Sequence, residues 1–189
     1  MEKKNQKLTI IVGCLLLVIS VSLAYFVGNI LINGTGSRGN VTTARINGSV
    51  LSVEGILEFN DTNILPGHKS VSSIKVTATG EPVLIPYNLI WKGTNNLGTK
   101  LNYTVYKTST EMNVSASCEK KTSVQNGVQI LNEECKIENI DNLGSEIASG
   151  SIVKNSTKEI LAKDEFITAT NDGDTKYYYV ILEYPNLDE

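Results

Sequence analysis

The sequence predicts an all-β protein, an antiparallel β-sandwich of jelly-roll or immunoglobulin-like type, preceded by one N-terminal transmembrane or signal helix. Three observations predict it. Beyond residue 41, apolar and polar residues alternate in short runs, which turns one side of an extended chain inward and the other outward. Asn, Gly, Pro and Asp separate these runs, as turns require. Ahead of them, residues 8–32 are almost wholly apolar and follow Lys3, Lys4 and Lys7.

The apolar run sets the compartment. About 20 apolar residues cross a bilayer core and basic residues stay on the cytoplasmic side, so residues 1–7 are expected inside and everything after Ile32 outside. Ser22, Leu23 and Ala24 form a small-x-small site, which places a signal-peptide cut between Ala24 and Tyr25. Against a cut, the apolar character continues through Phe26, Val27, Ile30, Leu31 and Ile32, which favours an anchor that holds the lipid bilayer through residues 8–32. The expected location is a single-pass membrane protein with its C-terminal domain outside, or a secreted form after cleavage. A wholly apolar helix inside a soluble protein would need a large core around it. A type IV pilin is disfavoured because no acidic residue lies between Leu8 and Ile32.

Residues 33–40, rich in Gly, Ser and Thr, read as a flexible tether, and residues 41–189 as one extracellular domain with a core of ordinary size. The chain carries 17 basic and 20 acidic residues, and the acidic excess grows once Lys3, Lys4, Lys7 and Glu2 are set aside. Mild acidity argues against nucleic acid as a partner, because phosphates call for a basic face.

Within the domain, Val50, Val53, Ile56, Leu57 and Phe59 mark the first strand or pair of strands, with Gly55 a bulge candidate. Residues 60–63 form a turn, and Pro66 with Gly67 a second, since proline presets φ and glycine accepts positive φ. In residues 70–79, Val71, Ile74, Val76 and Ala78 share an apolar side, and the step between Val71 and Ile74 predicts an irregular start. Residues 83–91 are more apolar, as in a central strand, although Pro86 cannot donate to a ladder and favours an edge or bulge. After a turn at 93–98, Leu101, Tyr103 and Val105 alternate with Asn102, Thr104 and Tyr106. Residues 112–118 and 128–137 predict two strands, with Asn126 and Gly127 suited to a hairpin turn. Residues 146–153 and 166–169 are weaker strands, and 158–163 suit one short helical turn. Residues 176–184, aromatic and branched, are the strongest strand.

Cys14 falls in the apolar run, which leaves Cys118 and Cys135 to close one disulfide in an oxidising compartment. Such a bridge stabilises by about 3 kcal/mol in the chain-entropy model. Two free thiols are the plain alternative. A zinc site is disfavoured, because two thiols and the single His68 match no common finger spacing.

The chain resembles the camelysin and TasA-like family of secreted proteins from Gram-positive bacteria. Ala24, Tyr25 and Phe26 stand where the family's signal segments end. Leu65, Pro66 and Gly67 form its Leu-Pro-Gly turn, which introduces a strand like residues 70–78. Strands like 82–91 and 101–106 follow in the family's order, and the similarity spans residues 8–106 and resumes at 177–185. The resemblance implies an exported jelly-roll-like β-sandwich, in some members assembling into extracellular matrix fibres by strand exchange. Two features depart from the pattern. The outer cysteines have no family counterpart, and the chain stops soon after its last strong strand. Loss of the usual final strand would open a sheet edge able to accept another strand.

Camelysin-type proteins have been associated with metal-dependent proteolysis, which needs paired histidines and a glutamate on one helix face. His68 is the only histidine, and directly after a Pro-Gly turn it is expected to be a solvated loop residue. No Gly-x-Ser-x-Gly elbow positions a serine. No catalytic residue, metal ligand or cofactor site is assigned, and the chain is not expected to be an enzyme. Asn171, Asp172, Gly173 and Asp174 offer oxygens to calcium, but Asp-Gly between two strands is more simply a hairpin turn. Tyr177 and Tyr179 share one strand face, with Tyr178 and Tyr184 on the other, which makes Tyr177 and Tyr179 the candidates for surface contact while ordinary packing explains most of the cluster. Sequons occur at Asn33, Asn40, Asn47, Asn60, Asn102, Asn113 and Asn155, and chance in an Asn-rich chain is favoured over glycosylation. The expected role is a cell-surface or matrix component that self-associates through sheet edges. Its rival is an anchored monomeric module holding a protein or glycan ligand.

Overall fold

The alternation seen in the sequence becomes strands in the computed structural model, which describes residues 28–33, 42–46, 48–55, 57, 64–97 and 99–186. In chain order these are β1 (Gly28–Asn33), β2 (Thr42–Ile46), β3 (Ser49–Glu54), β4 (Lys69–Thr79), β5 (Val83–Lys92), β6 (Leu101–Thr108), β7 (Ser115–Gln125), β8 (Val128–Glu138), β9 (Ser145–Ile152), β10 (Lys158–Ala169) and β11 (Asp174–Glu183). Among the described residues the only helical piece is a 3-10 turn at Ile140–Asn142, so no helix there is long and apolar enough to cross a membrane. The strands form a three-stranded sheet ordered β1-β5-β10, a six-stranded sheet ordered β2-β3-β4-β11-β6-β9, and the β7-β8 hairpin.

One apolar cluster draws on both larger sheets. Ile85, Tyr87, Leu89 and Trp91 of β5 and Leu161 and Ile167 of β10 meet Ile74 and Val76 of β4, Val105 of β6 and Tyr178, Val180 and Leu182 of β11. Burying each large aliphatic side chain stabilises by about 1.5–3 kcal/mol relative to exposure. The inward sets follow the period of two that the sequence displays.

The departures from expectation have local causes. The ladder between β4 and β11 runs from Lys69↔Glu183 to Ala78↔Asp174 without a register shift, so no irregular start exists. Val71 simply belongs to the other face, where it packs with Tyr179, Ile181 and Leu143 in a second cluster. Residues 158–163, expected as a helical turn, open β10 instead and pair with β5 from Lys158↔Lys92 onward. Register shifts between Ile160 and Ala162 and between Ala162 and Glu165 break the alternation there and disguised the strand. Pro86 pairs with Phe166 but precedes the stretch of β5 that meets β1, which begins at Tyr87. The proline thus sits where β5 has one ladder neighbour among the described residues, as its missing N–H requires.

Strand β11 lies between β4 and β6, so the last strong strand is central and does not form an edge. Its consecutive buried residues Tyr178, Tyr179, Val180, Ile181 and Leu182 reflect burial on both faces. At the other end, β1 pairs with β5 in parallel, from Gly28↔Tyr87 to Asn33↔Lys92, the one parallel ladder among the named strands. The last part of the apolar run therefore belongs to a sheet, and the membrane or signal segment expected over residues 8–27 lies outside the described residues. Ala24 and Tyr25, and the tether expected at 34–40, lie outside the described residues, as does the turn expected at 60–63.

Candidate functional site

The chemistry-bearing side chains gather where the Pro-Gly turn meets the β7-β8 hairpin. Pro66 and Gly67 occupy the centre of a turn closed by the His68 amide donating to the Leu65 carbonyl at 3.0 Å, with Gly67 at φ +90. Three further backbone bonds fix it: Gly67 N–H to the Tyr184 carbonyl at 2.7 Å, Tyr184 N–H to the His68 carbonyl at 2.9 Å, and Glu133 N–H to the Pro66 carbonyl at 2.8 Å. The last joins the turn to β8. A Cβ on Gly67 would stand 2.0 Å from the Glu133 carbonyl oxygen, so only glycine permits this approach and this φ together.

Beyond the turn, His68 is 4% exposed, and the expectation of a solvated loop histidine is corrected. The hairpin covers it. Its Nδ1 lies 2.6 Å from Glu133 Oε2, and both side chains are almost wholly enclosed. A charged or polar pair so enclosed is tolerable only because each partner satisfies the other.

Cys118 and Cys135 face each other in the hairpin register and form the expected disulfide. Strand periodicity explains the gathering: Glu133 and Cys135 are two residues apart on β8 and share a face. The tight turn at Asn126 (φ 49) and Gly127 (φ 79) sets the register that puts Cys118 opposite, because positive φ at both central positions matches the strand twist. The sulfurs also touch the start of β4. The Lys69 amide donates to the Cys135 sulfur at 3.1 Å, and the Lys69 carbonyl oxygen lies 3.6 Å from the Cys118 sulfur. One ligand-type atom from each of His68, Cys118, Glu133 and Cys135 lies within 4.8 Å of the others. Beside them opens a groove of about 440 Å³, lined in part by His68, Lys69, Val71, Val114, Ala116 and Cys118.

A second polar group threads the core. The Tyr87 and Tyr178 hydroxyls are hydrogen-bonded to each other, Tyr178 donates to Glu165 Oε2 at 2.9 Å, and Lys107 Nζ donates to the same oxygen at 2.6 Å. Burial first, then Tyr87 and the Glu165 carboxylate, hold the Tyr178 hydroxyl well above the usual tyrosine range. Burial likewise pushes Tyr87 up, against the opposing effect of its hydrogen bond to Tyr178. These hydroxyls are locked in the protonated form.

Of the two tyrosines expected at a surface contact, burial corrects Tyr179. Tyr179 is 1% exposed and its hydroxyl donates to the Met112 carbonyl at 2.8 Å, while Tyr177 is half-buried against the same second cluster. Asn171, Asp172 and Gly173 form a turn, closed by Gly173 N–H to the Thr170 carbonyl at 3.0 Å. It joins strands of different sheets, so it is a crossover and not the hairpin expected of Asp-Gly. Glu133 was missed from the sequence. The available signal was its two-residue spacing from Cys135, which carries weight only once the hairpin is known to dock on the Pro-Gly turn. No family model, no curated protein and no solved structure matches the chain.

Proposed function

We propose that the chain is an exported β-sandwich protein of a bacterial cell surface or extracellular matrix, acting structurally through association of its sheet edges. The apolar run after Lys3, Lys4 and Lys7 supports export, and the Cys118–Cys135 disulfide suits the oxidising side of a membrane. A single core fed by two sheets supports the sandwich. The resemblance to camelysin and TasA-like proteins points to the same surface role.

The observation that carries the proposal is β1. Its sequence, Gly-Asn-Ile-Leu-Ile-Asn, has no charge and no proline, and among the described residues it stands at the end of its sheet order. Edge strands that stay monomeric are usually blunted by lysine, proline or a bulge, and β1 has none of these. At the far edge of the same sheet, β10 does carry bulges. An unblunted apolar edge offers its backbone to a strand of another copy.

The test compares the full chain, extracted in mild detergent, with Ile30→Lys and Leu31→Lys by sedimentation over a range of concentrations. Adjacent strand residues face opposite ways, so the two variants place the charge on opposite faces of β1, and circular dichroism identifies which of them keeps the fold. The wild type should form oligomers that grow with concentration, and at least one folded lysine variant should not. A wild type that stays monomeric throughout would favour the anchored binding module instead.

A further inference from the structure

We propose that His68, Glu133, Cys118 and Cys135 form a redox-gated site for a divalent cation of the zinc type: closed to metal while the disulfide stands, and a four-ligand centre once it is reduced. The inference is independent of how the sheet edges are used. It rests on the convergence of four donor atoms that come from two distant stretches of chain, the turn before β4 and the β7-β8 hairpin.

The donor set fits the ion. Zinc takes thiolate, imidazole and carboxylate ligands in a tetrahedron with bonds of about 2.0–2.3 Å, which separates neighbouring ligand atoms by about 3.3–3.8 Å. The four atoms already lie within 4.8 Å of one another, so sub-ångström to ångström side-chain movements suffice. The sulfurs must part, and the Nδ1 to Oε2 contact of 2.6 Å must widen. Two thiolates select zinc over calcium or magnesium, which take oxygen ligands. The Glu133 carboxylate and two thiolates would leave the loaded centre with one net negative charge, and the Lys69 amide already aimed at the Cys135 sulfur supplies a donor to it.

The gate is covalent. Disulfide sulfurs are not thiolates and hold zinc poorly, so oxidation removes two of the four ligands. Opening requires a dithiol reductant. One of its thiolates attacks a disulfide sulfur, the Cys118–Cys135 bond breaks, and the mixed disulfide resolves through the second thiol. Two electrons and two protons pass to the protein, leaving two cysteine thiols, and the reductant departs as its own disulfide. The metal ion then displaces both thiol protons to solvent as two sulfur–metal bonds form. The groove lined by His68 and Cys118 gives reductant and ion a way in.

The test uses the full chain carrying Cys14→Ser, so that Cys118 and Cys135 hold the only thiols. Co²⁺ is titrated into the oxidised protein and into protein reduced with a phosphine, followed by competition with Zn²⁺. The reduced chain should take up one equivalent of Co²⁺ with thiolate charge-transfer and intense tetrahedral ligand-field bands, which Zn²⁺ abolishes. The oxidised chain should show neither. His68→Gln and Glu133→Gln should each weaken Zn²⁺ binding by at least roughly 10- to 100-fold, the range seen when even supporting groups around a metal are lost. Should either variant fail to fold, the contrast between oxidised and reduced wild type decides alone. Equal uptake in both redox states, no uptake by the reduced chain, an octahedral spectrum without thiolate bands, or unchanged affinity in both folded variants overturns the assignment.

Discussion

The two-sheet core and the β7-β8 hairpin are held by different means. In the core, Ile74, Ile85, Leu89, Val105 and Val180 are all 0% exposed, and stabilisation is spread over many interlocking side chains. Along β8 only the Glu133 side chain is almost wholly enclosed, and Val124, Val128 and Leu131 near the hairpin tip face solvent. A disulfide staples the hairpin's two strands to each other, and the hairpin is tied to the rest of the molecule at a few atoms: the Lys69 backbone against the two sulfurs, the His68–Glu133 pair, the Glu133 to Pro66 backbone bond and the contacts of Val114 and Ile137 with the second cluster. Distributed burial makes a unit that yields as a whole. Concentrated ties make one that can be released alone, and the chemistry of the molecule sits among those ties.

The sharpest way to break this contrast is to damage the core at one point. Leu89→Ala in the middle of β5 should lower global stability by about 2–5 kcal/mol, the range for leucine truncation at sites that collapse only partly. Urea unfolding should show the loss as a shift in midpoint with an unchanged slope, and amide exchange should accelerate in β4, β6 and β11 as well as in β5. Acceleration confined to β5 and β10 would mean that the two sheets do not share a cooperative core.

Removing the disulfide tests the other side. The Cys118→Ala, Cys135→Ala double variant should lose about 3 kcal/mol, as expected for a loop of this length. The loss should appear in the hairpin first. Lys120 and Lys121 are exposed, so trypsin should nick there while the core strands keep their exchange protection. If the whole domain unfolds together instead, the hairpin belongs to the core's cooperative unit. Zn²⁺ added to reduced wild type should restore protection to β7 and β8, and should do nothing for the double variant.

The same contrast governs what the sequence reveals. Val83–Lys92 and Leu101–Thr108 were legible because burial against a sheet imposes a period of two on the residues that must be apolar, and Asp174–Glu183 because a strand buried on both faces is a run of aromatic and branched residues. The hairpin turn at Asn126 and Gly127, and with it the pairing of Cys118 to Cys135, was legible because few residues tolerate positive φ. Lys158–Ala169 was half hidden, since two register shifts interrupt its alternation. His68 was misread because a histidine after Pro-Gly carries no sign of what will cover it. Its cover, Glu133, comes from 65 positions away, and such a contact exists only after the hairpin has docked. The parallel pairing of Gly28–Asn33 was hidden for a different reason: Ile30, Leu31 and Ile32 satisfy a bilayer and a sheet equally well.

A polar thread inside the core gives the smallest and most specific test. Tyr178→Phe removes the hydroxyl that bridges Tyr87 and Glu165, and leaves Glu165 with Lys107. At neutral pH the loss should be about 1–3 kcal/mol, because the buried Tyr87 hydroxyl is left without its partner. The alkaline limb separates this from a packing effect. Both hydroxyls are held protonated in the fold, above the roughly 10 at which an unfolded tyrosine ionises. Above that pH the unfolded chain binds fewer protons than the folded one, so wild-type stability must fall as pH rises. The phenylalanine variant keeps only Tyr87's share of that fall. The stability gap between the two proteins should therefore narrow from pH 7 towards pH 11 in urea melts, whereas a gap that stays constant would show that Tyr178 ionises as readily inside the core as outside it.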